Sequence, residues 1–169
     1  MKKIFFQIIL IFFFFNINNV YSSEKIHFID LDLVIQKSII GKNTLKKIEN
    51  FNNKNIEELK KNEAELKMLD KNIKTKKNIL SKEELDKELV ILKEKINKYK
   101  NQKDIMVVNF EKQKNDNLKN FFDQINPIIQ DFMKKNSIDI LLESKNVFIG
   151  KNNLDITEAV IQEIDKRLN

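Results

Sequence analysis

Apolar residues follow three different rhythms along this chain. The first is a short alternation. Lys25-Ile26-His27-Phe28-Ile29-Asp30 alternates polar and apolar positions before closing on a double apolar, which predicts a short strand. Asp30 or Asp32 is placed to cap a short helix running through Val34 and Ile35 to Ser38, and Gly41 marks a break. The second rhythm is sparse and has a period of seven. From Lys42 to about Leu80 there is neither Gly nor Pro, and Leu45, Leu59, Leu66, Ile73 and Leu80 fall at multiples of seven from one another. Ile48 and Leu69 fill some positions three residues on, but Asn52, Asn55, Asn62 and Lys76 hold the others. The reading is a long helix with a weak, polar heptad seam.

Ser81-Lys82-Glu83-Glu84 is a capping-box pattern at the point where this series stops. A second series then begins with Leu85, Leu89, Leu92, Ile96, Tyr99, Met106 and Phe110. Residues 80–82 are therefore read as the tip of a helical hairpin. The competing reading is one continuous helix with a chance Ser-x-x-Glu. The third rhythm is dense. Leu118, Phe121, Phe122, Ile125, Ile128, Ile129, Phe132 and Met133 crowd one helical stripe, which implies burial. Pro127 is expected to kink this stretch, because it removes a backbone donor and crowds the preceding turn. Asn136 and Ser137 end it.

Two further strands are expected, Ile138–Leu142 and Val147-Phe148-Ile149, the latter stopped by Gly150. Asp155 with Glu158 makes another capping pattern, opening a last amphipathic helix with Val160, Ile161, Ile164 and Leu168. The fold class is α+β. A long antiparallel helical hairpin (residues 42–122) projects from a small β-sheet body with short helices, built from residues 23–41 and 123–169. Three short strands leave exposed edges, so partner chains are expected to complete the body.

The N-terminus reads as an export signal. Lys2 and Lys3 precede an apolar run from Ile4 to Phe15, and Val20 and Ser22 suit cleavage after Ser22. The run is shorter than the ~20 residues that span a bilayer, although an uncleaved anchor is the alternative. Residues 1–22 are set aside as a signal peptide, and a periplasmic destination follows. Over the full 169 residues the net charge is +6, with 33% charged residues, 2 Gly, 1 Pro and no Cys. Abundant Lys, Asn, Ile and Phe, with Ala only at 64 and 159, fit A·T-rich codons, so charge alone does not imply a nucleic-acid partner. The distribution is more telling. Residues 42–122 hold 21 Lys against 14 acids, while the remainder of the mature chain is net acidic.

No catalytic constellation is present in the sequence. His27 is the only histidine, and it lies inside a strand. There is no Gly-rich phosphate loop and no thiol. No enzyme activity, cofactor or metal is expected. Glu57–Lys61, Glu63–Lys67, Asp70–Lys74, Glu83–Lys87 and Glu94–Lys98 read as helix-surface pairs, each contributing ~0.2–0.5 kcal/mol. What remains is a slender arm with apolar side chains among lysine stems, suited to many weak contacts with an unfolded chain. The seam accounts for most apolar positions. The leftover set is Ile56, Met68, Ile79, Val90, Ile91, Ile105, Val107 and Val108, with the tip lysines Lys71, Lys74, Lys76, Lys77 and Lys82. These are the candidate client-contacting residues.

The chain resembles the Skp/OmpH family of periplasmic chaperones. The resemblance lies in the order and spacing of Lys25–Asp30 after a signal peptide, Gly41-Lys42 opening a Lys-rich helix, Leu80-Ser81-Lys82-Glu83-Glu84 at the tip, Pro127-Ile128-Ile129, Ile138–Leu142, Val147-Phe148-Ile149 and Leu154-Asp155-Ile156-Thr157. It implies a jellyfish-shaped homotrimer whose helical tentacles enclose a cavity. It further implies an ATP-independent holdase for unfolded outer-membrane proteins, with contacts to lipopolysaccharide or an anionic membrane surface in some members and no nucleic-acid partner. The tentacles here depart from the family's usual Ala and Gln in favour of Asn, Lys and Ile, and no residues are assigned to lipopolysaccharide. The alternative is a structural coiled-coil protein of the cell envelope that binds no client.

Overall fold

The computed structural model describes residues 24–168, so the expected signal segment lies outside the described residues. The elements run in the order β1 (Ile26–Ile29), α1 (Leu31–Lys37), α2 (Ile39–Lys76), α3 (Lys82–Asn136), β2 (Ile140–Glu143) and α4 (Thr157–Arg167), with 3-10 turns at Ser144–Asn146 and Asn152–Leu154. At ~1.5 Å per residue, α2 and α3 extend about 57 Å and about 83 Å.

β1 and β2 pair in parallel, Ile26 opposite Ile140 through to Ile29 opposite Glu143. Parallel neighbours need a crossover connection, and here the crossover is the entire helical hairpin. The other side of β1 is also used. Phe28 bridges to Asp155, and the Ile156 amide donates to the Phe28 carbonyl at 3.0 Å. β1 is thus the centre of the small sheet.

The expected strand at Val147–Ile149 is not formed. After β2 the 3-10 turn at Ser144–Asn146 carries the chain away, and Phe148 and Ile149 stand 100% and 86% exposed. With both sides of β1 occupied, these residues have no edge of that strand left to join. The two expected N-terminal signals also resolve differently. Asp30 is the cap of α1, accepting from the Leu33 amide at 2.8 Å. Gly41 does not break anything. The break is at Ser38, which is fully buried and caps α2 by accepting from the Gly41 amide at 3.1 Å. Gly41 lies inside α2 because α1 folds back onto it: a Cβ there would sit 2.1 Å from the Ile35 carbonyl oxygen.

α2 is capped a second time from across the chain, since the Ile39 amide donates to Asp165 Oδ1 at 2.8 Å. At the far end of the chain, Asp155 accepts from the Thr157 amide at 2.9 Å. The expected Asp155–Glu158 box is not formed: Ile156 is the N-cap, without a side-chain bond, and Glu158 pairs with Lys37 at 2.7 Å. α3 continues as helix through Pro127 and ends where Ser137 turns left-handed at φ 53°.

The core joins both chain ends to the crowded stripe. Ile29, Val34 and Ile35 pack with Phe121, Ile125, Ile128, Ile129, Ile138, Ile156, Val160, Ile161 and Ile164. Full burial of such side chains stabilises by ~1.5–3 kcal/mol each. Leu118 and Ile40 pack against this cluster, and no residue between them along the chain belongs to it. Phe122 and Phe132 are partly buried at its margin rather than in its centre. Arg167 on α4 fastens α3 to this body, pairing with Asp131 at 2.9 Å and with Glu163 at 2.7 Å.

Candidate functional site

The hairpin turns at residues 77–81, slightly ahead of the expected tip. The Ile79 and Leu80 amides both donate to the Lys76 carbonyl, closing α2. Ser81 then opens α3 with a complete capping box. The Glu84 amide donates to Ser81 Oγ at 3.3 Å, and the Ser81 amide donates to Glu84 Oε2 at 3.0 Å. Hydrogen bonds from the Ser81 hydroxyl and then its backbone amide hold the Glu84 carboxyl below its ordinary range. The chain is therefore interrupted as the hairpin reading expects, by the residues that signalled it, and the competing continuous helix is not formed.

Apolar contact closes the seam in places. Near the root, Phe51 and Phe110 stack with ring centroids 6.4 Å apart. Towards the tip, Ile73 and Leu92 are buried. Leu45 and Leu89, expected in the seam, are instead 37% and 46% exposed. Between these contacts half-buried apolar residues such as Leu59, Leu66 and Ile96 alternate with polar ones. Asn62 Nδ2 donates to Gln102 Oε1 at 3.0 Å, and Gln102 Nε2 donates to Glu58 Oε1. A groove of about 1120 Å³ opens here between the helices.

All eight leftover apolar residues are exposed. Ile56, Ile91, Val90 and Val107 lie between 40% and 57%, and Ile105, Met68, Val108 and Ile79 reach 60%, 63%, 68% and 84%. The structure does not gather them into one pocket; it strings them along the hairpin. Lys71, Lys74, Lys76, Lys77 and Lys82 are exposed around the tip. Lys74 is not free, because Asp70 pairs with it at 2.7 Å. Of the other expected surface pairs, Glu63–Lys67 closes to 2.6 Å. The Lys67 hydrogen bond holds Glu63 below the carboxylate range, and the same bond raises Lys67.

Reasoning from sequence missed the groove. Asn55 and Asn62 were visible as polar seam positions, but their partner Gln102 lies on the returning helix, forty residues from Asn62. Among the described residues, no cluster of three or more His, Cys, Asp or Glu is placed to hold a metal ion. His27 Nδ1 is buried within the sheet region without a hydrogen-bond partner. No helix among the described residues is long and apolar enough to cross a membrane.

These features define a class: a helical-hairpin protein, its arm an oversized crossover on a small α+β base. The family model for outer membrane protein (OmpH-like) matches residues 25–164, and the chain belongs to that family. Among solved structures, the chain is similar to one described as an OmpH-like outer membrane chaperone from Caulobacter crescentus CB15. The TM-score is 0.79 at 19% identity, over 86% of each chain. At that identity the likeness is one of fold. The search of curated proteins finds no match.

Proposed function

We propose that this protein is an ATP-independent holdase of the periplasm, binding unfolded outer-membrane protein precursors through its hairpin and preventing their aggregation. The observation that carries the reading is the exposure of eight apolar side chains, Ile56 to Val108, along an arm that has no core of its own to cover them. Lysine stems between them supply further apolar surface while the ammonium groups stay solvated. Such a surface makes many weak contacts and selects for disorder rather than for a particular shape. Membership of the OmpH-like family supports the same reading, and the N-terminal apolar run with Val20 and Ser22 supports export.

The body supports assembly. Phe148 and Ile149 are exposed apolar residues in a segment whose composition suits a strand, and the outer edge of β2 has no neighbour among the described residues. An unpaired sheet edge is a template for another chain. In this proposal three copies associate through their bodies, and the arms surround the client. The excess of lysine over acid on residues 42–122 attracts acidic clients, lipopolysaccharide or an anionic membrane surface.

The test is suppression of aggregation of a urea-denatured outer-membrane protein after dilution, with the mass of the assembly measured in parallel. Protection near one assembly per client is expected. Removal of residues 50–112 is expected to leave assembly intact and abolish protection. An envelope spacer would give no protection in either form, and protection that survives the deletion would place the client site on the body.

A further inference from the structure

We propose that the mid-hairpin groove binds the main chain of an extended polypeptide through side-chain carboxamides. This rests on the holdase reading and assigns it a second contact surface, which shares only Ile105 with the exposed apolar set. The groove lies between the two arm helices and is lined by six carboxamides: Asn55, Asn62, Asn97, Asn101, Gln102 and Asn109. Each carboxamide carries two donors and an acceptor in one plane, the same groups a peptide bond offers. Two of the six, Asn62 and Gln102, are spent on each other and on Glu58, which pins the helices together across the gap. No hydrogen bond among the described residues engages the side chains of Asn55, Asn97, Asn101 and Asn109, leaving them available to a ligand.

Three properties select the occupant. The groove is open, it mixes amide and charged groups with apolar side chains, and at about 1120 Å³ it exceeds the size of a typical, enclosed small-molecule cavity. Its charges are close to balanced, with Glu58, Glu65 and Glu94 facing Lys95 and Lys98. The surrounding hairpin is strongly basic, so this stretch alone makes no demand for an acidic ligand. Tyr99 and Met106 give apolar floor between the amides, matching the alternation of main-chain polar groups and side chains along an extended strand. An unfolded chain exposes unpaired N–H and C=O groups whatever its sequence, and a folded one does not. Carboxamide contacts therefore read the exposed main chain itself, a second mark of the unfolded state beside its exposed apolar side chains.

The test uses the full-length protein and two fluorescent peptides of one sequence, a strand segment of an outer-membrane β-barrel. The first is unmodified and the second is N-methylated at alternate residues, which removes backbone donors and keeps the side chains. The unmodified peptide is expected to bind at least tenfold more tightly. Replacing Asn55, Asn97, Asn101 and Asn109 together by Ala is expected to weaken the unmodified peptide about tenfold and leave the methylated one unchanged. These positions line solvent, and Ala is the better helix former, so the helices are kept; circular dichroism verifies this. Equal binding of the two peptides to the unaltered protein overturns the proposal, independently of any variant. So does unchanged binding by the fourfold variant, while full aggregation protection by the unaltered protein would leave the holdase reading standing. Absence of both peptide binding and protection overturns both.

Discussion

Phe51 on the outgoing helix and Phe110 on the returning one stack with centroids 6.4 Å apart and planes inclined by 9°. They are separated by almost the whole hairpin in sequence, and Phe51 lines the root end of the groove. Aromatic pairs contribute ~0.5–1.5 kcal/mol beyond their area burial. A double-mutant cycle with Phe51→Ala and Phe110→Ala is expected to give a coupling in that range in denaturant unfolding. Additive losses would mean that the rings meet without supporting each other.

The body depends on α3 beyond Leu118. Phe121 is 1% exposed at the centre of the core, whereas Phe122 and Phe132 are partly buried at its margin. Phe121→Ala is expected to cost ~3–5 kcal/mol, and each of the other two clearly less. Equal losses at all three positions in thermal or denaturant unfolding would displace the core from where the structure has it.

Gly41 offers a test in which the local rule and the tertiary contact disagree. In a helix interior Ala is favoured over Gly by ~1 kcal/mol. At this position a Cβ would lie 2.1 Å from the Ile35 carbonyl oxygen. The clash involves backbone, so relief requires α1 and α2 to part. Gly41→Ala is therefore expected to destabilise by ~1–3 kcal/mol, and a gain in melting temperature would refute the close approach at Ser38.

Arg167 confers a pH dependence of known sign. Its hydrogen bonds hold the Asp131 and Glu163 carboxyls below their ordinary ranges. The unfolded chain binds protons at these groups more readily than the folded one. Their contribution is therefore complete above the ordinary carboxylate range and is lost as pH falls from there through the lowered folded values. Denaturant midpoints are expected to fall between about pH 5 and pH 3, and Arg167→Gln is expected to flatten that fall. An unchanged slope in the variant would show that other carboxylates carry it.

Salt separates the two kinds of arm surface. Attraction by the tip lysines, Lys71 to Lys82, is screened over ~8–10 Å at physiological ionic strength. Client association is expected to slow as salt rises from 50 to about 300 mM, with a smaller effect on dissociation. Salt-insensitive association rates would leave the exposed apolar residues as the main attraction.

Much of this protein is written in short-range pattern. Ser81 and Glu84 announce the start of α3 because each satisfies the other's backbone within a single turn. The crowding of Phe121, Ile125, Ile128 and Ile129 on one stripe identifies the buried segment because helical period alone brings them together. The exposed set from Ile56 to Val108 was legible in the same way, as what the seam leaves over.

The rest depended on partners distant in sequence. Asp165 caps Ile39 and Gln102 reaches Asn62. Glu158 abandons its own helix for Lys37, and Gly41 is required by Ile35 rather than by a turn. Val147–Ile149 has the composition of a strand, yet β1 is already paired on both sides, by β2 and by Asp155. Periodicity and capping involve residues within about four positions, so the chain determined its helices, its turn and its buried stripe unaided. Which carbonyl, carboxylate or strand edge is still free when the two chain ends meet is settled only by folding, because each such group satisfies a limited number of partners and the nearest in space takes it.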